Sequence, residues 1–223
     1  MDAKRIIPLL QVTAPALADS LVQAASRLEL AGADELLFQE GPGAGPGRCA
    51  WIAAVAGNLF IPFALEADFG NLLEVEQALE AGADKLVLGA DPASLELLTR
   101  AAGRFGRTRL GVAVTLFRNA DRQWRVADPT QPAGRDALAW LVELGQRGAG
   151  ELHLRVDPAG LGAGTLFQLA AQLANPVLCR CADAGEAAQE ALLHGADGLV
   201  LAEAAFSAET KAALGGLGLV LRV

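Results

Sequence analysis

The stretch Lys4-Arg5-Ile6-Ile7-Pro8-Leu9-Leu10-Gln11 is a short apolar run with charged residues at its beginning and a polar residue at its end. A strand of a parallel sheet that is buried on both faces has this continuous Val, Ile and Leu character. The stretch therefore predicts a buried parallel strand. In a closed barrel of such strands, Arg5 would lie at the N-terminal face, where the strands enter the barrel, and Gln11 at the C-terminal face, where they leave it.

Seven further apolar runs follow, and turn residues bound each of them. Stretches whose apolar residues recur every three or four positions, the period of a helix, separate the runs. The eight runs cover residues 6–10, 36–38, 61–65, 85–89, 110–117, 152–156, 177–180 and 198–202. Strands that alternate with helices predict parallel pairing through crossover helices.

A tripeptide repeat sharpens this prediction. Gly-Ala-Asp occurs at 32–34, 82–84 and 195–197, and 148–150 is the variant Gly-Ala-Gly. Each copy follows a predicted helix, where glycine suits a left-handed backbone, and opens a strand. The copies precede the second, fourth, sixth and eighth strands. The pattern predicts an α/β fold, a (βα)8 TIM barrel that forms a single domain over 1–223, with a doubly wound open sheet as the competing arrangement.

Composition excludes several classes of function. Apolar residues make up 52% of the 223 residues, as in a compact globular domain. The net charge is −8 and Lys and Arg do not cluster, so we expect no nucleic acid and no membrane as partner. The sequence contains no charged-then-apolar leader and no long apolar run, so we expect a cytoplasmic protein.

The sequence also lacks the signatures of metals and cofactors. Cys49, Cys179 and Cys181 form no CxxC pair and are odd in number, which predicts neither a disulfide framework nor a metal site. The segment 41–47 alternates Gly with Pro or Ala but lacks the lysine and the glycine spacing of a phosphate-binding loop. We therefore expect no metal and no cofactor.

Polar residues end most of the predicted strands, at the face where barrel enzymes build their sites. Glu66 and Asp157 could act as general acid and base, although polar strand ends are common without any catalytic role. Arg118, Arg155 and Arg180 could bind a phosphate or carboxylate, or they could form a solvated rim. The residues alone leave both alternatives open.

Three further features are weaker candidates. Cys179 and Cys181 lie on the same side of a predicted strand, where a reactive thiol competes with buried packing as the interpretation. His153 lies inside the sixth strand and could act as a base. Residues 123–126, within the long segment 118–134, could form a hairpin arm over the C-terminal face.

The opening stretch, taken as 3–12, resembles the first strand of the cyclase subunit of imidazole glycerol phosphate synthase, a barrel of histidine biosynthesis. The resemblance continues in register at 31–38, 61–63, 81–85, 148–152, 195–197 and 219–222. It implies the barrel fold, a cyclase (lyase) activity, and a glutaminase partner at the N-terminal face.

The positions that the resemblance makes catalytic carry unsuitable side chains. The family uses two aspartates as general acid and base, and this chain has Gln11 and Thr115 there, which do not titrate near neutral pH. A further family aspartate falls on Gln39. The two glycine-rich phosphate loops of the family match 65–68 and 180–184, where carboxylates would repel a phosphate.

We therefore predict a catalytically degenerate or repurposed barrel, a pseudoenzyme. The alternatives are an active cyclase of histidine biosynthesis and a module that binds a glutaminase-like partner. A small anionic metabolite is the candidate ligand at the C-terminal face. The candidate site there consists of Gln11, Gln39, Glu66, Thr115, Asp157 and Arg180.

The resemblance also implies a ring of charged residues at the N-terminal face. In the family this ring gates ammonia that the glutaminase delivers. Its four members are all present in this chain as Arg5, Glu35, Lys85 and Glu151. The ring could stabilise the barrel floor, or it could mark a face on which the partner docks.

Overall fold

A computed structural model provides the structure and describes residues 3–13, 17–43, 45, 47–128, 131–156, 172–217 and 220–221. The strands are β1 Arg5–Val12, β2 Leu36–Glu40, β3 Phe63–Glu66, β4 Lys85–Gly89, β5 Leu110–Arg118, β6 Trp124–Asp128, β7 Gln131–Asp136, β8 Glu151–Val156, β9 Val177–Cys181 and β10 Gly198–Ala202. The α-helices are α1 Ala18–Leu30, α2 Arg48–Ala56, α3 Leu72–Glu80, α4 Pro92–Phe105, α5 Ala137–Arg147, α6 Glu186–Leu193 and α7 Ala208–Gly215.

Eight parallel strands close into a barrel. Their order is β4-β3-β2-β1-β10-β9-β8-β5, and the pairing of β4 with β5 closes the circle. This closure confirms the predicted (βα)8 TIM barrel, and the open sheet is wrong. The remaining strands, β6 and β7, form an antiparallel hairpin that extends from the end of β5. The hairpin corresponds to the arm expected around 123–126.

The repeated tripeptides link each helix end to two strands. Their glycines have positive φ angles between 89° and 130°, a backbone conformation that favours glycine. Their aspartates accept hydrogen bonds from the backbone N–H at the start of the preceding strand: Asp34 from Ile6 at 2.8 Å, Asp84 from Phe63 at 3.0 Å and Asp197 from Val177 at 2.8 Å. The repeat therefore helps to set the register between neighbouring strands.

The fourth copy has glycine in place of aspartate because the site has no room for a side chain. A Cβ atom at Gly150 would overlap the carbonyl group of Arg107, in the turn before β5. The N–H of Gly150 donates to the carbonyl of Leu110 at 2.7 Å, as the aspartate N–H does to the preceding strand in the other copies. The N–H of Leu110 donates to the carbonyl of Arg107, and the side chain of Arg107 donates to the carbonyl of Ala149 at 3.0 Å. In this copy the carbonyl of Arg107 therefore takes the place of the aspartate carboxylate.

The apolar core has two parts. A large cluster fills the space between the barrel and the helices. A smaller cluster inside the barrel is at most 1% exposed and contains Ile7, Leu37, Ala64, Val87, Leu178 and Val200. Because strand residues alternate between the two sides, the inward-facing positions before and after this layer lie at the two open ends of the barrel. Within the described ranges, no helix is long and apolar enough to cross a membrane.

Candidate functional site

Four charged side chains close the N-terminal face, and we call them the floor ring. Arg5 and Lys85 each contact both carboxylates, Glu35 and Glu151. The N–O distances are 2.8 Å for Arg5–Glu35, 3.1 Å for Arg5–Glu151, 3.3 Å for Lys85–Glu35 and 2.8 Å for Lys85–Glu151. The side chains are at most 16% exposed. Two positive and two negative charges therefore cancel within the ring.

A fifth residue joins the floor ring from inside the barrel. His153 is 3% exposed, and its Nε2 atom lies 2.8 Å from Glu151. Burial opposes the ionisation of Glu151, but its hydrogen bond with His153 and the charges of Lys85 and Arg5 lower its pKa well below the ordinary range. The contact between His153 and Glu151 was not predicted from the sequence. Their spacing of two residues on β8 could have indicated it, because it places both side chains on the same side of the strand.

A chain of hydrogen bonds spans the C-terminal face, and we call it the mouth network. Gln11 donates to Gln39 at 2.7 Å, and Gln39 donates to Glu66 at 2.5 Å. Arg155 donates to one carboxylate oxygen of Glu66, and Nη2 of Arg180 lies 3.4 Å from the other. The structure thus brings together four residues of the candidate site with Arg155, which the sequence offered as part of an anion site.

The charges of the mouth network do not cancel. Glu66, which is 8% exposed, is its single carboxylate and serves two guanidinium groups. Burial, with the charge of Arg180, lowers the pKa of Arg155 to about 10, and burial lowers the pKa of Arg180 to about 10. Both arginines stay protonated at neutral pH. Among the described residues, the network therefore carries one positive charge in excess.

Thr115 lies outside the chain of hydrogen bonds from Gln11 to Glu66, although its backbone pairs with that of Arg155 between β5 and β8. Thr115 is exposed and borders a separate cavity of about 150 Å³ beneath the hairpin. Asp157 lies outside the described residues, so its pairing with Glu66 as acid and base stays a prediction. Arg118, the third arginine of the predicted anion site, lies with its guanidinium 4.8 Å from the centre of the Trp124 ring.

A cavity of about 410 Å³ opens beside the two arginines of the mouth network. Apolar side chains from β1, β8, α6 and β10 form much of its wall. Its lining includes Leu9, Arg155, Val156, Arg180, Ala187 and Ala202. The size and the mixed lining suit a small organic ligand.

The two cysteines of β9 fit the packing interpretation. Cys179 is 2% exposed, and burial raises the pKa of its thiol far above the ordinary value. Burial, with the nearby charge of Asp183, raises the pKa of Cys181 to about 11. Neither thiol forms the thiolate that a nucleophile needs near neutral pH. In the part of the chain that the structure describes, no group of three or more His, Cys, Asp or Glu side chains is arranged to hold a metal ion.

An apolar groove lies beside the floor ring, on the outside of the N-terminal face. Its volume is about 720 Å³, and it runs between residues 31–34, residues 60–62 and α7. Phe60 is 97% exposed at this groove. Leu30, at the end of α1, is 88% exposed. This face therefore presents apolar surface to the solvent.

Comparison with known proteins identifies the family to which the chain belongs. A family model described as histidine biosynthesis protein matches residues 11–211. The imidazole glycerol phosphate synthase subunit HisF of Dictyoglomus turgidum is 30% identical over 226 residues, which cover 91% of this chain and 89% of that protein. The HisF subunit of Thermosynechococcus vestitus is 32% identical over 200 residues, with coverages of 79% and 71%.

The match to another relative is shorter. The HisF subunit of Stenotrophomonas maltophilia (strain R551-3) is 34% identical over 155 residues, which cover 65% of this chain. The chain spans 60% of the length of that relative.

Proposed function

We propose that this chain, which belongs to the histidine biosynthesis protein family, does not carry out the cyclase reaction. Its barrel is like that of the cyclase subunit of imidazole glycerol phosphate synthase. In our proposal the barrel has been repurposed and binds a small anionic metabolite at the C-terminal face. The observation that carries the proposal is that Glu66, the single carboxylate of the mouth network, forms ion pairs with two arginines.

The chemistry of the C-terminal face supports the loss of the reaction. General acid and base catalysis needs side chains that take up and release protons near neutral pH. Gln11 carries an amide and Thr115 a hydroxyl, and neither does so. The oxygens of Glu66, which a base would need, face Arg155 and Arg180 instead.

The excess positive charge supports the binding of an anion. Guanidinium groups bind carboxylates and phosphates through charge-assisted hydrogen bonds. Arg155 and Arg180 both line the cavity beside the network. A negatively charged ligand would neutralise the excess positive charge of the mouth network. The charges of the floor ring cancel without a ligand.

A turnover assay tests the loss of the cyclase reaction. The purified protein is incubated with the substrate of the synthase and an ammonium salt, and product formation is followed. We expect no turnover above the rate without protein, and the matched double variant Gln11→Asp/Thr115→Asp restores the two carboxylates for comparison. Turnover by the unmodified chain that Gln11→Ala abolishes would overturn the proposal.

A second candidate function is the docking of a glutaminase-like protein at the N-terminal face. The observation that favours it is the apolar groove at Phe60, which is 97% exposed. The relatives are named as subunits of a synthase. The floor ring does not itself support docking because its charges already cancel.

Sedimentation of the chain mixed with the glutaminase subunit of the synthase tests the docking. If the groove is the interface, the mixture forms a complex that Phe60→Ala weakens. The control is Leu73→Ala, which removes another exposed apolar side chain, at the start of α3. Sedimentation of two separate components at micromolar concentration would exclude the docking.

A further inference from the structure

The lining of the cavity beside the mouth network combines charged and apolar side chains. The guanidinium groups of Arg155 and Arg180 border it. Its apolar lining includes Leu9, Val156, Ala187 and Ala202. A lining that offers both guanidinium groups and apolar side chains suits a molecule that has an anionic head and a short carbon chain.

The charge of the mouth network separates the two common anionic heads. Its two guanidinium groups and Glu66 leave one positive charge in excess. A phosphate monoester carries about −1.5 to −2 near neutral pH and would exceed that charge. Asp183, which also borders the cavity, adds a negative charge there and would repel a dianion further. A carboxylate carries one negative charge and matches the planar geometry of a guanidinium group.

Hydrogen-bond donors for a carboxylate are already in place. Nε of Arg155 and Nη2 of Arg180 are buried, and neither has a hydrogen-bond acceptor among the described residues. Nη2 of Arg180 lies 3.4 Å from Glu66, in a geometry that forms an ion pair without a hydrogen bond. A buried donor without an acceptor is unfavourable, so a ligand oxygen at this position would stabilise the network.

We infer that the cavity binds a small monocarboxylate, whose carboxylate contacts Arg155 and Arg180 and whose short apolar chain packs against Leu9 and Ala202. The inference rests on the proposed anion-binding function and narrows it to one class of ligand. The cavity volume of about 410 Å³ keeps the ligand small. The single negative charge of the carboxylate balances the one positive charge in excess in the mouth network.

Isothermal titration calorimetry with hexanoate and with inorganic phosphate tests the inference. We expect hexanoate to bind at least about tenfold more tightly than phosphate. Arg180→Ala should weaken hexanoate binding by about tenfold or more, while Arg100→Ala, on the exposed face of α4, should leave it unchanged. Ala187→Leu should weaken hexanoate more than acetate, because the added side chain fills the apolar wall. A urea titration of each variant shows whether it is folded.

Glu66→Gln provides a second measurement that does not remove an arginine. The variant raises the excess charge from one to two, so we expect phosphate to bind more tightly to it than to the unmodified chain. Unchanged phosphate binding in this variant would contradict the charge count that the inference uses.

The outcomes separate the inference from the proposed function. If phosphate binds as tightly as hexanoate, the inference of a monocarboxylate ligand is wrong. The anion-binding proposal would still hold. Unchanged hexanoate affinity in folded Arg180→Ala would also overturn the inference. If neither probe binds at millimolar concentration, both the inference and the anion-binding proposal are wrong, and the turnover assay judges the loss of the cyclase reaction separately.

Discussion

The floor ring at the N-terminal face holds two cations and two carboxylates that pair with one another, whereas two arginines share one carboxylate in the mouth network. The same strands build both ends. β1 supplies Arg5 to the floor ring and Gln11 to the mouth network, and β8 supplies Glu151 and Arg155. One barrel therefore combines a balanced end with an unbalanced one.

This difference indicates what each end does. Burial of charges is unfavourable unless they are paired and hydrogen-bonded. The floor ring meets that condition within the chain, so it needs no ligand and closes the barrel. The mouth network meets it only in part, because Glu66 cannot neutralise both Arg155 and Arg180. In our proposal, a bound anion completes this end, which the described residues of the mouth network leave with one positive charge in excess.

Glu151→Gln should have the largest effect on stability. The variant leaves Arg5 and Lys85 with one carboxylate between them and removes the charged partner of His153. We expect the free energy of unfolding to fall by about 3–5 kcal/mol, the usual cost of breaking a buried ion pair. Urea denaturation followed by tryptophan fluorescence measures it.

The matched control for this variant is Glu143→Gln. Glu143 pairs with Arg147 one helical turn away, and both side chains are well exposed. The control should cost at most about 0.5 kcal/mol. A Glu151→Gln cost no larger than that of the control would show that the floor ring does not stabilise the barrel.

Gly150→Asp should have the next largest effect, although it restores the consensus of the repeat. A side chain there overlaps the backbone of Arg107, so we expect a loss of about 1–3 kcal/mol. Gly103→Ala is the control, because a Cβ at Gly103 meets no atom within 4 Å. The control should be stabilised by about 0.5–1 kcal/mol in its helix. Equal stabilities of the two variants would mean that the N-terminal face can accommodate an aspartate.

Glu66→Gln should lower the free energy of unfolding less than Glu151→Gln does. The side chain of Arg155 is 36% exposed, against 16% for Arg5 and Lys85 in the floor ring, so water can solvate it when the carboxylate is removed. We expect a loss of about 1 kcal/mol in the same urea titration. Glu203→Gln, whose partner Arg27 is highly exposed, is the control. A loss as large as that of Glu151→Gln would mean that the mouth network is as structural as the floor ring.

The pH dependence of stability should report the floor ring. Glu151 stays ionised in the folded protein, since its pKa is lowered, whereas in the unfolded chain it takes up a proton near pH 4.3. The unfolded state then binds more protons, so this contribution to stability is lost as the pH falls below about 4.3. The loss is at most about 1.4 kcal/mol per pH unit. Urea midpoints of the protein and Glu151→Gln should converge on acidification, and a constant gap would contradict the assignment.

Much of the fold was predictable from the sequence. The helical and strand periods are local, and the glycine of each repeat needs only its own backbone angle. The hairpin lies in the segment 118–134, which departs from the regular alternation and for which the sequence offered a hairpin arm around 123–126. The role of the repeat aspartates was not predictable, because each accepts its hydrogen bond from a strand at least 20 residues earlier.

The candidate site divides in the same way. The sequence by itself determined that the barrel forms, and its resemblance to the family implies that an amide and a hydroxyl, at Gln11 and Thr115, stand where the family has catalytic aspartates. Only the tertiary structure decided that Glu66 meets Arg155, which is 89 residues away, and that His153 joins the floor ring. The physical reason is that local periods determine which side of a strand a residue occupies. Which residues then meet across the barrel depends on its closure and on the register of its strands.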